Sequence, residues 1–235
     1  MLAIYKREMR SYFTGVIGYV FLVLFLALGG AVFALTTLFS MSADVTGYFT
    51  VMLLASAIIL PLLTMKSFSE ERKTKTEQLL LTSPISLTGM VVGKFLAAFT
   101  MFAGALLFNS LYFIILYRYA QVKTWILIGN VIALLLVGMT FISIGLFVSA
   151  ITENQLSAAI GTMSIILAFL AVGLINSLLP NDFWLRYVID SVSVFSRFQT
   201  FTNGYFDLSS LVYYLSVSAL FLYLTVRVYD RRRYN

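Results

Sequence analysis

The chain has no cysteine, no histidine and three prolines, and only 11% of its 235 residues are charged. Without thiols there are no disulfides and no thiol nucleophile. Without imidazole the usual zinc ligand and the histidine proton relay are missing too. A soluble domain carries about a quarter charged residues, whereas here 60% of the residues are hydrophobic. The composition is that of an integral membrane protein. A helix needs roughly 20 apolar residues to cross about 30 Å of hydrocarbon, so the length accommodates six or so spans and leaves little for a soluble domain. One all-α membrane domain, residues 1–235, is expected.

The apolar runs fall at about 16–40, 48–65, 87–117, 124–151, 156–179 and 208–226, and none carries Asp, Glu, Lys or Arg in its central part. Ion-coupled transporters and pumps generally need an ionisable group at membrane depth, and channels often ring their pores with charge. Energy for any uphill movement is therefore expected to enter from outside the membrane. The polar residues at depth are Asn109, Asn130, Asn176 and scattered Ser and Thr. In a span such side chains more often hydrogen-bond a neighbouring helix than serve a ligand. Gly145 with Ser149, and Ser157 with Gly161, are small residues four apart that allow helices to approach closely.

Ahead of the first span, residues 1–14 place Leu2, Tyr5, Met9, Tyr12 and Phe13 at helical spacing, with Lys6, Arg7, Glu8 and Arg10 mostly on other faces. This predicts an amphipathic helix lying at the membrane interface. A signal peptide is disfavoured because the apolar run after it exceeds the 7–15 residues of such a segment and further spans follow. Between the fifth and sixth spans, residues 180–207 are rich in Phe, Tyr and Trp but too polar to cross. Short external re-entrant helices are expected there, with a small folded cap as the alternative.

Six spans put both termini on one face. That face collects Lys6, Arg7, Arg10, Lys66, Arg72, Lys73, Lys75, Lys94, Arg227, Arg231, Arg232 and Arg233, against Arg118, Lys123, Arg186 and Arg197 on the other. By the positive-inside rule the termini are expected to be cytoplasmic, in the plasma membrane. The net charge of +6 then reflects attraction to membrane lipid, and no nucleic-acid partner is needed to explain it.

The stretch GMVVGKF at residues 89–95 superficially resembles a phosphate loop. It has three residues between its glycines where four are required, Phe95 in place of a hydroxyl, and a span instead of a strand around it. Nucleotide binding there is rejected, and Lys94 is expected to snorkel to the headgroups. No cluster of catalytic groups at the interface supports a membrane enzyme.

Residues 66–86, KSFSEERKTKTEQLLLTSPIS, stand out as a polar run between oily spans. Ser67 with Glu70 fits a capping box, Thr74 with Glu77 offers a second helix start, and Ser86 is a plausible N-cap for the third span. The second span is expected to project beyond the membrane here. A short helix around 76–81 would display Leu79, Leu80 and Leu81 before Ser83-Pro84 ends it. An apolar knob with a charged rim suits a partner's pocket better than it suits a solvated loop.

This run resembles the region after the second span of ABC-2 type permeases, the membrane subunits of ATP-binding cassette exporters. In them an acidic pair, a Thr, a leucine run and a Ser-Pro recur before a Gly-Lys, as in Glu70-Glu71, Thr76, Leu79 to Leu81, Pro84 and Gly93-Lys94 here. Lys75 stands where the motif often has Gly, and Gln78 where an acidic residue is common. SAITENQLSAA at 149–159 and FSRFQTFTNGYFDLSSLVYYLSV at 195–217 are similar to the branch holding gliding-motility permeases and the permease of nitrous-oxide-reductase maturation.

The resemblance spans essentially the whole chain. It implies a separate ABC ATPase subunit, two copies in the complex, that binds the ATP and Mg for which this chain has no site, and a second permease subunit, identical or related. It also makes 66–86 a cytoplasmic coupling segment. Leu79, Leu80 and Leu81 would be its anchors, Glu70, Glu71, Arg72 and Lys73 its electrostatic fit, and Glu153 and Asn154 of the TENQ turn a second contact. The implied function is ATP-coupled export. The alternative is a membrane anchor of an ATP-driven motility, secretion or cofactor-maturation assembly that passes no substrate.

Overall fold

The computed structural model describes residues 1–40, 44–78, 86–119, 124–178, 193–202 and 207–234, with the side chains of 119, 174–178 and 234 left aside. Among them there is no strand, and six helices are long and apolar enough to cross a membrane. Helix α1 is Leu2–Thr14. Helix α2, Val16–Phe33, is prolonged by a π-helical turn, Ala34–Leu38. Then follow α3 (Thr46–Thr64), α4 (Lys66–Lys73), α5 (Leu87–Ser110), α6 (Tyr112–Tyr119), α7 (Thr124–Ile151), α8 (Gln155–Leu178), α9 (Val194–Thr202) and α10 (Leu208–Tyr234).

Apolar helices in lipid gain little from hydrophobicity, so their association depends on close packing and interhelical hydrogen bonds. The second, third and fourth spans are 61%, 56% and 67% buried, and the first, fifth and sixth only 33%, 28% and 17%. Helices α3, α5 and α7 therefore form the core, and α7 is its central post, touching α3, α4, α5, α8, α9 and α10. Close approach is bought at glycines. A Cβ on Gly138 of α7 would lie 2.0 Å from the Phe102 ring of α5, and one on Gly145 would lie 2.1 Å from Thr64 Oγ1 of α3.

The second membrane helix does project beyond its apolar run, with a break at Met65 between α3 and α4. Pro61, one turn earlier, lacks the N–H that would continue the ladder. The expected Ser67–Glu70 capping box does not form, because Ser67 lies inside α4 and Met65 holds the N-cap position without a side-chain bond. Ser86 does cap α5, accepting from the Gly89 N–H at 3.2 Å.

Of the segment expected to be external, 180–192 and 203–206 lie outside the described residues, while α9 is a short amphipathic helix. Its Phe195, Phe198 and Phe201 are buried against α7 and α8. The Tyr214 hydroxyl donates to the Val194 carbonyl at 2.8 Å and ties α9 to α10.

Candidate functional site

Ion pairs gather around α4, at the end that carries both termini. Three features of the sequence put them there: a stripe on α1, a lysine early in α5, and a short polar helix following an interrupted span.

On α1 the residues Ile4, Glu8 and Tyr12 are four apart and share a stripe. Ile4 and Tyr12 are buried, and the Glu8 side chain is 13% exposed. This corrects the expectation that Glu8 faces away. Tyr12 donates its hydroxyl to the Leu63 carbonyl at 3.3 Å, and burial raises its pKa above the ordinary tyrosine value.

Lys94 does not snorkel. Its side chain is 1% exposed and its ammonium meets three acceptors: Glu71 Oε1 at 2.9 Å, Glu8 Oε1 at 3.2 Å and the Ser67 carbonyl. An ammonium has three N–H donors, so the group is fully satisfied. The Phe68 ring lies 4.7 Å away as a cation–π partner. The snorkelling expectation fails because these carboxylates, drawn from two other elements, supply inside the fold what headgroup water would supply outside.

Arg7 completes the arrangement, reaching Glu8 at 2.7 Å and Glu71 at 2.6 Å. Arg7, Glu8, Lys94 and Glu71 thus form a closed ring of alternating, mutually cancelling charges. Burial works against the Arg7 charge, yet its hydrogen bond to Glu8 and the charge of Glu71 hold the guanidinium above its ordinary pKa. A cavity of about 210 Å³ opens beside the ring.

Four further contacts tie α4 and its C-terminal turn to the rest of the bundle. The Ser149 hydroxyl of α7 accepts from the Phe68 and Ser69 N–H groups at 3.1 Å each and donates to the Met65 carbonyl at 3.1 Å. It caps α4 from another helix, supplying what Ser67 does not. Arg72 pairs with Glu153 at 2.7 Å and donates to the Ile151 carbonyl. Glu77 pairs with Arg232 at 2.9 Å, and Arg232 also donates to the Ala150 carbonyl at 2.7 Å. The Tyr229 ring packs on Phe68 with centroids 5.0 Å apart.

Helix α4 ends where Lys75 takes a left-handed conformation, φ 58°. Its N–H returns to the Arg72 carbonyl at 3.1 Å, closing the helix as a C′ residue does. Glycine is the residue this position favours.

The structure thus joins several residues singled out from the sequence and separates others. Glu71 and Arg72 turn inward, the first to α1 and α5 and the second to Glu153 of the TENQ turn. Asn154 accepts from the Leu156 N–H at 3.0 Å and starts α8. Lys73 and Thr76 face solvent, and Glu70 pairs with Lys66 at 3.2 Å on the surface. Leu79, Leu80, Leu81 and Pro84 lie outside the described residues. Asn109 donates to the Phe25 carbonyl of α2 at 3.4 Å, and Asn130 to the Ile126 carbonyl of its own helix at 2.8 Å. Only the backbone of Asn176 is described. Arg7, Glu8, Lys94, Glu77 and Arg232 were not foreseen as parts of one site. The spacing of Ile4, Glu8 and Tyr12 was a usable signal for the first pair, but no local pattern links Glu77 to Arg232.

A six-span helical membrane protein whose second span continues into a short, charge-locked helix is the class that fold and site define. Comparison with protein families goes further: the chain belongs to the ABC-2 family of transporter proteins, whose family model matches residues 2–232, nearly its whole length. No curated protein matches it.

Proposed function

We propose that the chain is the permease subunit of an ABC-type exporter, taking energy through residues 66–86 from a separate ATPase subunit that binds ATP and Mg. The observation that carries this reading is the convergence on 66–78. Its Glu71, Arg72 and Glu77 and the N-terminal N–H groups of α4 are held by α1, α5, α7, the α7–α8 turn and α10. Displacing this segment displaces every element that reaches it, and no apolar run of the chain carries Asp, Glu, Lys or Arg in its central part. The family match supports the ATPase partner.

In this reading α1 lies at the inner membrane surface and both termini are cytoplasmic in the plasma membrane. Two ATPases work with two permease subunits, the second identical or related. ATP binding closes the ATPase pair and shifts the permease between conformations in proportion to its differential affinity for them. Lys73, Lys75 and Thr76 form the solvent-facing rim of the contact and Leu79, Leu80 and Leu81 its apolar anchors. The motifs at 149–159 and 195–217 support a place in the gliding-motility and nitrous-oxide-reductase-maturation branch of the family.

The test is co-purification with the ATPase after replacing Leu79, Leu80 and Leu81 by Asp. The expected result is loss of the complex; an intact complex with unchanged ATPase activity removes the coupling assignment. Cysteines placed at Lys75 and Arg197 should label from opposite sides of the membrane with an impermeant reagent, and labelling of both from outside removes the topology.

A further inference from the structure

A groove of about 590 Å³ runs between the start of α5 and the end of α10. Along α10 the lining passes from Leu222 and Val226 to Arg227 and Arg233, and α5 contributes Ser86, Leu87, Thr88 and Val91. From Leu222 to Arg233 is about 16 Å at 1.5 Å per residue, close to the depth of one leaflet of a bilayer with about 30 Å of hydrocarbon. The gradient from apolar to cationic along α10 therefore follows the gradient from acyl chain to headgroup.

We infer that this groove binds one anionic phospholipid of the leaflet on the side of the termini, with an acyl chain along Val91 and Leu222 and the phosphate between Arg227 and Arg233. Charge decides the headgroup. Asp230 stands 3.7 Å from Arg227 in an exposed pair, and Tyr223 accepts from the same guanidinium at 2.7 Å. These leave most of the Arg227 fork available, since exposed pairs at such spacing are weak. Arg233 has no carboxylate partner among the described residues. A zwitterionic headgroup would bring its own cation against two arginines; an anionic one brings none. That this leaflet is the cytoplasmic one rests on the proposed orientation, but the groove and its charge do not.

The experiment uses the full chain purified without any ATPase, its retained lipid read by native mass spectrometry after incubation with phosphatidylglycerol or phosphatidylcholine. The unaltered chain is expected to retain phosphatidylglycerol preferentially. Arg227→Gln with Arg233→Gln should reduce that preference by about tenfold to thirtyfold, the worth of two cations near an anionic surface. The single variants should each show part of the effect. Val92→Trp, which fills the groove without touching charge, should lower retention of both lipids. Arg231→Gln, a cation of the same helix outside the groove, should change nothing. Equal retention of the two lipids by the unaltered chain, persistence of the preference in both arginine variants, or an equal loss in Arg231→Gln overturns the inference. Because no ATPase is present, a failure here leaves the coupling reading standing, and a failed coupling test leaves this one.

Discussion

Lys94 Nζ and Glu71 Oε1 are 2.9 Å apart, joining the third span to the helix that prolongs the second through a lysine that is 1% exposed. The same carboxylate oxygen receives Arg7 at 2.6 Å, so three elements share one atom. Removing one partner of a buried pair is far more costly than exchanging the whole set for apolar groups, because it strands the opposite charge. Lys94→Met leaves Glu8 and Glu71 with Arg7 alone. It is expected to destabilise the chain by about 3 kcal/mol, tempered by the partial exposure of the carboxylates. Denaturant titration in detergent followed by circular dichroism measures this, and an unchanged midpoint would show that the ring contributes nothing.

Ser149 replaces a cap that α4 does not provide for itself. Ser149→Ala strands the Phe68 and Ser69 N–H groups together with the Met65 carbonyl, and each buried unsatisfied group costs about 1–3 kcal/mol. Because the junction retains some freedom to adjust, a loss of about 2 kcal/mol is expected, with local opening at α4. Hydrogen exchange at Phe68 and Ser69 checks it: their amides should exchange faster in Ser149→Ala while those in the middle of α7 stay protected.

How far the fold was legible in the sequence follows from the physics of each part. The spans were legible because a bilayer demands length and apolarity, both of which are local properties. Gly145 and Ser149 were recognised as a packing face, and Thr64 and α4 are what that face packs against. Lys94 departs from the snorkelling expected of it because a lysine near a span end has two ways to be satisfied. Which one applies depends on carboxylates that fold in from positions 8 and 71. Glu77 and Arg232 are 155 residues apart and meet only once α10 has continued past its apolar run.

The glycines distinguish close packing from mere small-residue content. A Cβ on Gly145 would stand 2.1 Å from Thr64 Oγ1, whereas one on Gly104 meets nothing within 4 Å. Gly145→Ala should destabilise by about 1–3 kcal/mol through overpacking. Gly104→Ala should be neutral or stabilising by about 0.5–1 kcal/mol, since alanine is the better helix former. Thermal unfolding of the two variants side by side gives the comparison, and equal losses would remove the packing argument.

At the other end of the bundle, Asp207 caps α10, accepting from the Ser209 N–H at 3.0 Å, the Ser210 N–H at 3.1 Å and the Ser210 hydroxyl at 2.6 Å. The Ser210 hydroxyl, then the Ser209 N–H, hold its carboxyl below the usual aspartate value. A pKa lower in the folded state than in the unfolded one means that the cap contributes above the unfolded value, near 4. The contribution fades as pH falls through the folded value. Asp207→Asn keeps an accepting oxygen but loses the charge, so its stability should vary less as pH falls below about 4 than that of the unaltered chain. Asp207→Ala should cost about 1 kcal/mol at neutral pH, reduced by the exposure of the site, and converge with the unaltered chain in acid. Unfolding midpoints of the three chains across this range decide the matter, and parallel curves would mean that the carboxylate does not cap the helix in solution.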